Sequence, residues 1–291
     1  MAQKRIELFS ISEQFSFPSN YDSVYTGQAT ERTFNAQLTV PLKIKDSTIF
    51  FTNITYDNFF VKSSGLIPAG IANPIQLHGL FMRTGIVQNI RNNQSLFFLV
   101  MPRLYGDFKE MDAGSLQWGG IFLYEKSYRE DYTIGFGFNI NQDYAGPFFV
   151  PLVFLQRDFG KKWSIDALMP QDFNLKFELN DRLSFGFKNF NAASGYRLDE
   201  SNFSRDYIFR FSTNLSLYSR VRLFGHWYSE VRFGYVLARQ YTQYDKDDVV
   251  ALRLPLLDIG ETANRMYKNA NMQDGAFIRV KLLFDFPIPE D

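Results

Sequence analysis

The chain has 291 residues with 31 basic and 31 acidic side chains, a balance that leaves no basic stripe for nucleic acid and no global pull on charged partners. Cysteine is absent, which excludes disulfides, thiol catalysis and cysteine-based zinc or iron–sulfur sites. Aromatic residues reach 18%, with 32 Phe and 16 Tyr, yet each ring tends to sit beside a polar residue, as in a sheet with one lipid face and one wet face.

No stretch approaches the roughly 18 consecutive apolar residues of a membrane helix. The longest apolar run, Leu96-Phe97-Phe98-Leu99-Val100-Met101, is strand-sized. Met1-Ala2-Gln3 reads as a start codon placed on a mature N-terminus, so a signal peptide is expected to have been removed.

Period-two alternation dominates the chain. It predicts strands over 4–17, 30–44, 48–62, 75–90, 94–107, 115–127 and 131–142, then over 147–158, 163–169, 172–180, 182–198, 206–224, 228–244 and 275–287. In the second of these Phe34, Ala36, Leu38, Val40 and Leu42 face one way, and Asn35, Gln37, Thr39 and Lys43 the other. In the last, Ile278, Val280, Leu282, Phe284 and Phe286 oppose Arg279, Lys281 and Asp285. The run 206–224 far exceeds the usual strand of about 5–6 residues, as a tilted membrane strand with an external extension does.

Turns at 45–46, 91–93, 129–130, 160–162, 180–181 and 225–226 are short. The segments 18–29, 63–74, 108–114, 199–205 and 245–274 are long. Tight turns at one rim and long loops at the other predict an all-β, transmembrane, antiparallel up-and-down β-barrel of about 14 strands, with the turns and both termini in the periplasm. Twelve strands is the alternative, with two weak segments reassigned to loop. The weak pair is 163–169 and 172–180, joined through Met169-Pro170-Gln171-Asp172. The whole chain, 1–291, reads as one domain, and helix-like spacing in 258–271 predicts a short helix within the loop 245–274. A soluble sandwich of two packed sheets is the competing fold; heat-dependent migration on SDS gels separates the two.

The hairpin from Leu215-Ser216-Leu217-Tyr218 to Val231-Arg232-Phe233-Gly234-Tyr235, with the earlier run Asn180-Asp181-Arg182-Leu183-Ser184-Phe185-Gly186, resembles the uncharacterised outer-membrane barrel proteins of Bacteroidota, a family of unknown function. The resemblance covers most of the chain by pattern. It implies a barrel in the bacterial outer membrane and carries over no activity and no functional residue.

Chemistry is sparse. Of the two histidines, His78 within a strand has no serine nearby in sequence, and His226 in a turn beside Trp227 reads as part of the periplasmic aromatic belt, so no nucleophile–base pair is expected. Glu110 with Asp112, and Asp245 with Asp247 and Asp248, read as solvated loop charges, and the second set lacks the glycine and distal glutamate of a calcium loop. No catalytic, cofactor-binding or metal-ligating residue is assigned.

Parity with the apolar face places Lys176, Glu178, Lys188, Arg210, Arg220, Arg222, Glu230, Arg232, Arg279 and Lys281 in the lumen, because each would cost roughly 2–4 kcal/mol near the midplane if it faced lipid. Two readings of that wall stay open. Its cationic excess favours an anionic solute, or its charges pair with Glu178, Glu230 and carboxylates of other strands to fill the interior. Trp118, Tyr124, Tyr128, Trp163, Trp227 and Tyr228 are expected in the interfacial aromatic girdles.

The expected role is that of a structural or accessory subunit of an outer-membrane assembly, not an enzyme. A passive or anion-favouring, porin-like channel is the alternative, and a lipid-modifying enzyme comes third. The expected partners are outer-membrane lipid, lipopolysaccharide and other outer-membrane or periplasmic proteins, with no nucleic acid.

Overall fold

In the computed structural model the described residues are 5–21, 27–45, 47–91, 93–255, 257–260 and 266–287. They form one antiparallel sheet of fourteen wall strands. In chain order these are β1 (Arg5–Ser16), β2 (Gln28–Lys45), β3 (Thr48–Ser63), β4 (Ile75–Arg91), β5 (Gln94–Val100 continuing as Arg103–Gly106) and β6 (Leu116–Gln117 continuing as Gly119–Arg129). There follow β7 (Tyr132–Asn141), β8 (Phe148–Phe159), β9 (Trp163–Met169), β10 (Asp172–Asn180), β11 (Leu183–Arg197), β12 (Tyr207–Phe224), β13 (Trp227–Tyr244) and β14 (Gly275–Pro287). Each strand pairs with its chain neighbour, and β1 pairs with β14 from Arg5↔Pro287 to Ser16↔Phe277, which closes the barrel.

Turn chemistry sets the hairpins. Gly160 (φ +66) and Gly225 (φ +49) supply the left-handed residue in two tight turns. In the turn before β11, Asn180 Oδ1 accepts from the backbone N–H groups of Arg182 and Leu183, at 2.9 and 3.0 Å. Asp199 caps a single helical turn, Glu200–Phe203, at the opposite rim.

The helix expected over 258–271 is not found. Asp258 and Ile259 lie in a short strand (Leu257–Ile259) paired with Leu252–Leu254, and Met266–Asn271 is not helical; 261–265 lie outside the described residues. At the start of that segment helical spacing is overridden by pairing within the loop itself, Leu257–Ile259 on Leu252–Leu254.

Polarity is inverted relative to a water-soluble protein. The fully buried set includes Gln14, Asn53, Gln243 and Glu230, whereas Phe136 and Leu217 are 56% and 67% exposed. Exposed apolar residues continue along the outer face of strand after strand: Phe34, Leu38, Val40 and Leu42 on β2, Phe136, Phe138 and Ile140 on β7, Val231 and Phe233 on β13, Ile278 and Val280 on β14. A continuous apolar belt of this extent is stable only against lipid. The short-turn rim carries an aromatic girdle, with Trp163 on Phe177 (4.8 Å) and Trp227 on Phe284 (5.2 Å). Trp118 is exposed at the long-loop end of β6. Tyr228 is a correction, since it is buried on the lumen side.

Candidate functional site

The lumen divides into two walls of different chemistry. The first is built by β1–β3 and β12–β14 and is packed with ion pairs. Near the short-turn rim Glu230, 1% exposed, lies between two guanidinium groups. Arg220 donates to it at 2.7 and 2.9 Å, and Arg232 Nε at 2.5 Å. Arg220 also reaches Asp285 at 3.1 Å, and Lys281 donates to both oxygens of Glu7 at 2.7 and 2.8 Å.

Midway along this wall, Arg279 donates twice to Gln14 Oε1. Towards the long-loop rim Glu31 accepts from Tyr241 Oη at 2.6 Å and from Arg239 at 3.4 Å, while Arg210 donates to Tyr241 Oη at 3.0 Å and lies over the Phe59 ring at 4.0 Å.

The charges expected in the lumen are therefore brought together in part. Arg210, Arg220, Glu230, Arg232, Arg279 and Lys281 share this wall. Lys176 with Glu178 (2.8 Å) and Lys188 with Asp172 (3.0 Å) form separate pairs on β10 and β11. Arg222 sits at the rim, where its Nε donates to the Gly225 carbonyl at 2.6 Å. The cationic excess nearly vanishes once the inward carboxylates of the other strands are counted. Six cations (Arg210, Arg220, Arg232, Arg239, Arg279, Lys281) face five carboxylates (Glu7, Glu31, Asp57, Glu230, Asp285), a difference of one. Glu31 lies within the expected strand 30–44 and shares the inward parity of Asn35, Gln37 and Thr39.

The second wall, β4–β8, is largely apolar inside as well as outside. Leu99, Met101, Ile121, Leu123, Val150 and Leu152 form a buried cluster joined by Phe97, Phe148 and Phe154. Above it lies a cavity of about 370 Å³, bounded by β4–β8, the upper part of β11, Phe211 and Thr213 of β12, the turn at Pro170-Gln171 and Pro255. Five of its lining residues carry a buried polar atom with no hydrogen-bond partner among the described residues: Arg83 Nε, Arg103 Nε, and the Oδ1 atoms of Asn139, Asn141 and Asn191. Buried polar atoms are normally satisfied, so a cluster of orphans marks a place built to receive a polar group. Arg103 also donates from Nη2 to the Gln142 carbonyl, and neither Arg83 nor Arg103 has a carboxylate within ion-pair distance among the described residues.

Reading for charge runs misses Arg83 and Arg103, which have no charged residue within five positions on either side in their strands. Their inward parity, with Phe81 and Met101 on the same face, is the signal that finds them.

The remaining candidates lie elsewhere. His78 projects outward near the long-loop end of β4, with Tyr56 Oη at 2.7 Å, Asn58 Nδ2 at 3.2 Å and Phe108 stacked on it at 5.1 Å. His226 packs in its turn against Phe284 and Phe286. Asp112 makes a two-pronged ion pair with Arg197, both contacts 2.8 Å, and the hydrogen bonds from that guanidinium hold its carboxyl well below the usual carboxylate range. Glu110 accepts from Glu200 N at 2.9 Å and from Ser201, so both residues tie the 107–115 loop to β11 and its helical turn. Asp245 pairs with Lys268 at 3.4 Å. No group of three metal-ligating side chains occurs among the described residues.

The closed antiparallel barrel, with an apolar exterior and a polar, ion-paired interior wall, defines a membrane-spanning β-barrel protein. The chain belongs to the family described as a domain of unknown function (DUF6268), whose model matches residues 1–249.

Among solved structures it is similar to an outer membrane channel from Pseudomonas putida F1 (10% identity, TM-score 0.47, covering 98% of this chain and 97% of that one). It is also similar to the Pseudomonas putida toluene transporter TodX (9%, 0.42, 98% and 89%) and to the translocator domain of the autotransporter NalP from Neisseria meningitidis (9%, 0.39, 97% and 89%). No curated protein sequence matches the chain.

Proposed function

We propose that this chain is a bacterial outer-membrane β-barrel that binds small, mainly apolar solutes in the β4–β8 half of its lumen and passes them across or into that membrane, without acting as a wide ion-conducting pore. The observation that carries the proposal is the cavity of about 370 Å³ with orphaned polar atoms set in an otherwise apolar lining. Such a lining favours a solute with an apolar body and one polar group over a hydrated ion, which needs a continuous polar path. The ion-paired wall opposite supports this, because five of its six cations already have a carboxylate or a carboxylate-bound tyrosine as partner and offer little to an incoming anion.

A second reading, a structural or accessory subunit, is favoured by that same wall, which serves as the polar core of a closed scaffold. Lipid-modifying catalysis has less support: the hydrogen bonds of His78 go to Tyr56, Asn58 and Gln76, none of them a serine or cysteine nucleophile. Lipid around the belt and lipopolysaccharide at the long-loop rim are the partners this placement implies.

The test is reconstitution of the purified chain in planar bilayers and vesicles. The expected result is little potassium chloride conductance with saturable uptake of a small alkyl or aromatic solute. Large steady conductance would reject the closed-to-ions reading. Neither conductance nor uptake, with a second chain co-purifying from native membranes, would favour the accessory role.

A further inference from the structure

The cavity holding Arg83 and Arg103 has a roof and a floor but an incomplete side wall. Its roof is Tyr105 stacked on Tyr196 at 4.9 Å, beneath a buried apolar layer that includes Phe59, Leu77, Ile208 and Ala72. The loop bearing Ala72 is drawn inward there, its N–H donating to Gln243 Oε1 at 3.0 Å. The floor is the cluster around Leu99, Leu123 and Leu152. The side wall fails because β9 and β10 are short.

Strand β8 pairs with β9 only from Val153 onward, and β11 pairs with β10 only from Phe190 back, with one further bond from Asn191 N to Gln171 O at 2.8 Å. Between them Phe148–Leu152 and Ala192–Tyr196 face a gap that no wall strand crosses among the described residues. Asn191, Ala192 and Pro170, at the rim of this gap, line the cavity.

The gap lies at lipid height. Phe149 and Pro151 on its β8 side are level with Ile140 and Phe138 of β7, both part of the exposed apolar belt. On its other side Asn191 is level with Thr213 of β12 and through it with the exposed Leu237 of β13.

Two segments reach into the gap: the β7–β8 loop, where Asp143 Oδ2 accepts from Gly195 N at 2.9 Å near the long-loop end, and the paired strands Leu252–Leu254 and Leu257–Ile259 of the last long loop on the β8 side. Arg253 of this hairpin is opposite Phe148 in a parallel pairing and its guanidinium reaches from the Phe148 ring (5.7 Å) to the Phe209 ring of β12 (4.0 Å). Leu254, Pro255 and Leu257 border an apolar groove together with Phe149, Pro151, Val153 and Met169, and Pro255 also lines the inner cavity. The hairpin's root is fixed where Val250 N donates to the Ala145 carbonyl at 3.1 Å. The neighbouring Gly146 (φ +119) lets this approach happen, since a Cβ there would collide with the Val250 carbonyl.

We infer that the gap is a lateral window joining the lumen cavity to the outer leaflet of the membrane, that the 252–259 hairpin is its cover, and that the molecule using it is a small amphiphile with an anionic head. The inference rests on the proposed solute-binding function. The head is assigned from Arg83 and Arg103, two guanidinium groups without carboxylate partners in an apolar cavity. Planar guanidinium donors suit a carboxylate or a phosphate head alike, and Asn139 and Asn141 add neutral polar contacts. The apolar tail is assigned from the window, which offers lipid-facing side chains along its β8 edge.

The experiment uses the full chain in lipid vesicles, with the heat-dependent gel shift confirming that each variant is folded. The probe is a dansylated undecanoate, with the corresponding alcohol and the alkyl phosphate as comparison arms. Binding of the carboxylate should weaken at least tenfold in the Arg83→Gln, Arg103→Gln double variant, and binding of the alcohol should not change. Equal dependence for both heads would overturn the anionic assignment. A phosphate bound more tightly than the carboxylate through the same arginines would support the anionic head and identify its source.

Because the chain has no cysteine, Phe148→Cys with Arg253→Cys gives a single engineered staple of the cover onto β8. Exchange of bilayer-dissolved probe with the cavity should be at least tenfold slower in the oxidised than in the reduced form of this variant. Replacing 252–259 with a short Gly-Ser link should speed exchange severalfold. If the probe binds but neither change alters exchange, the window is wrong while the binding function stands. If the probe does not bind at all, the underlying function fails with it.

Discussion

The wall of β1–β3 with β12–β14 and the wall of β4–β8 line the same lumen, yet they solve the problem of a membrane interior in opposite ways. On the first, charged side chains alternate with lipid-facing apolar ones, and most of the buried charges are paired: Glu230 with Arg220 and Arg232, Glu7 with Lys281, Glu31 with Arg239, while Arg279 is held by the Gln14 amide and Asp57 by that of Asn35. On the second, strands such as Gln94–Val100 are apolar on both faces, Phe97 and Leu99 inward and Phe98 outward, and the two arginines lining the cavity, Arg83 and Arg103, have no carboxylate partner among the described residues. Satisfied polar networks hold a conformation in place, whereas unsatisfied polar atoms in an apolar lining are costly unless a ligand completes them. The contrast assigns stability to one wall and binding to the other.

The sharpest way to break that division is to remove charge from each wall and compare. Glu230→Ala leaves Arg220 and Arg232 uncompensated in a buried site, and loss of about 3–5 kcal/mol of unfolding free energy is expected in urea titrations of the folded barrel in vesicles. Arg83→Gln removes a group with no ion-pair partner, and a stability change below about 1 kcal/mol is expected. Similar losses from both would erase the distinction.

Next in size, Phe136→Arg on the lipid face of β7 should cost about 2–4 kcal/mol in the same assay, because the residue lies in the exposed apolar belt. A cost near zero there would place that part of β7 outside the bilayer and lower the window out of reach of lipid.

The smallest effect concerns the 107–115 loop. Arg197 holds the Asp112 carboxyl below its ordinary range, so the tie contributes fully above the unfolded carboxylate pKa of about 4 and is lost only as pH falls through the depressed value. A nitroxide at Met111→Cys should therefore stay immobilised from pH 7 down to about 4 and loosen only below that. Loosening between pH 6 and 5 would show that another group anchors the loop.

Much of the fold was legible in the residues. Alternation with a lipid-facing side located the strands from 30–44 to 275–287, and the phase of short and long connections fixed the up-and-down order, since a one-residue slip would turn every side chain to the wrong face. The short segments 163–169 and 172–180 are strands, and their brevity opens the side wall. The consequence was hidden because a gap depends on the lengths of neighbouring strands relative to one another, not on any one of them.

Half of the lumen was legible for a similar reason. Charges on the C-terminal strands stand out against apolar neighbours, but their partners Glu7 and Glu31 come from strands more than a hundred residues away in the chain. Pairing across the barrel follows from closure, which local pattern does not encode. The apolar interior of β5, β6 and β8 was read as ordinary strand sequence, because a strand apolar on both faces looks the same whether its inner side meets a core or a solute.

The division of the lumen is tested most directly by thiol labelling on a background without native cysteine. Single substitutions Ala192→Cys, at the cavity and its side gap, and Ser12→Cys, in the ion-paired wall, are exposed in vesicles to a lipid-soluble maleimide. Labelling of the first at least tenfold faster than the second is the predicted result. Equal rates, or faster labelling at Ser12→Cys, would contradict the account.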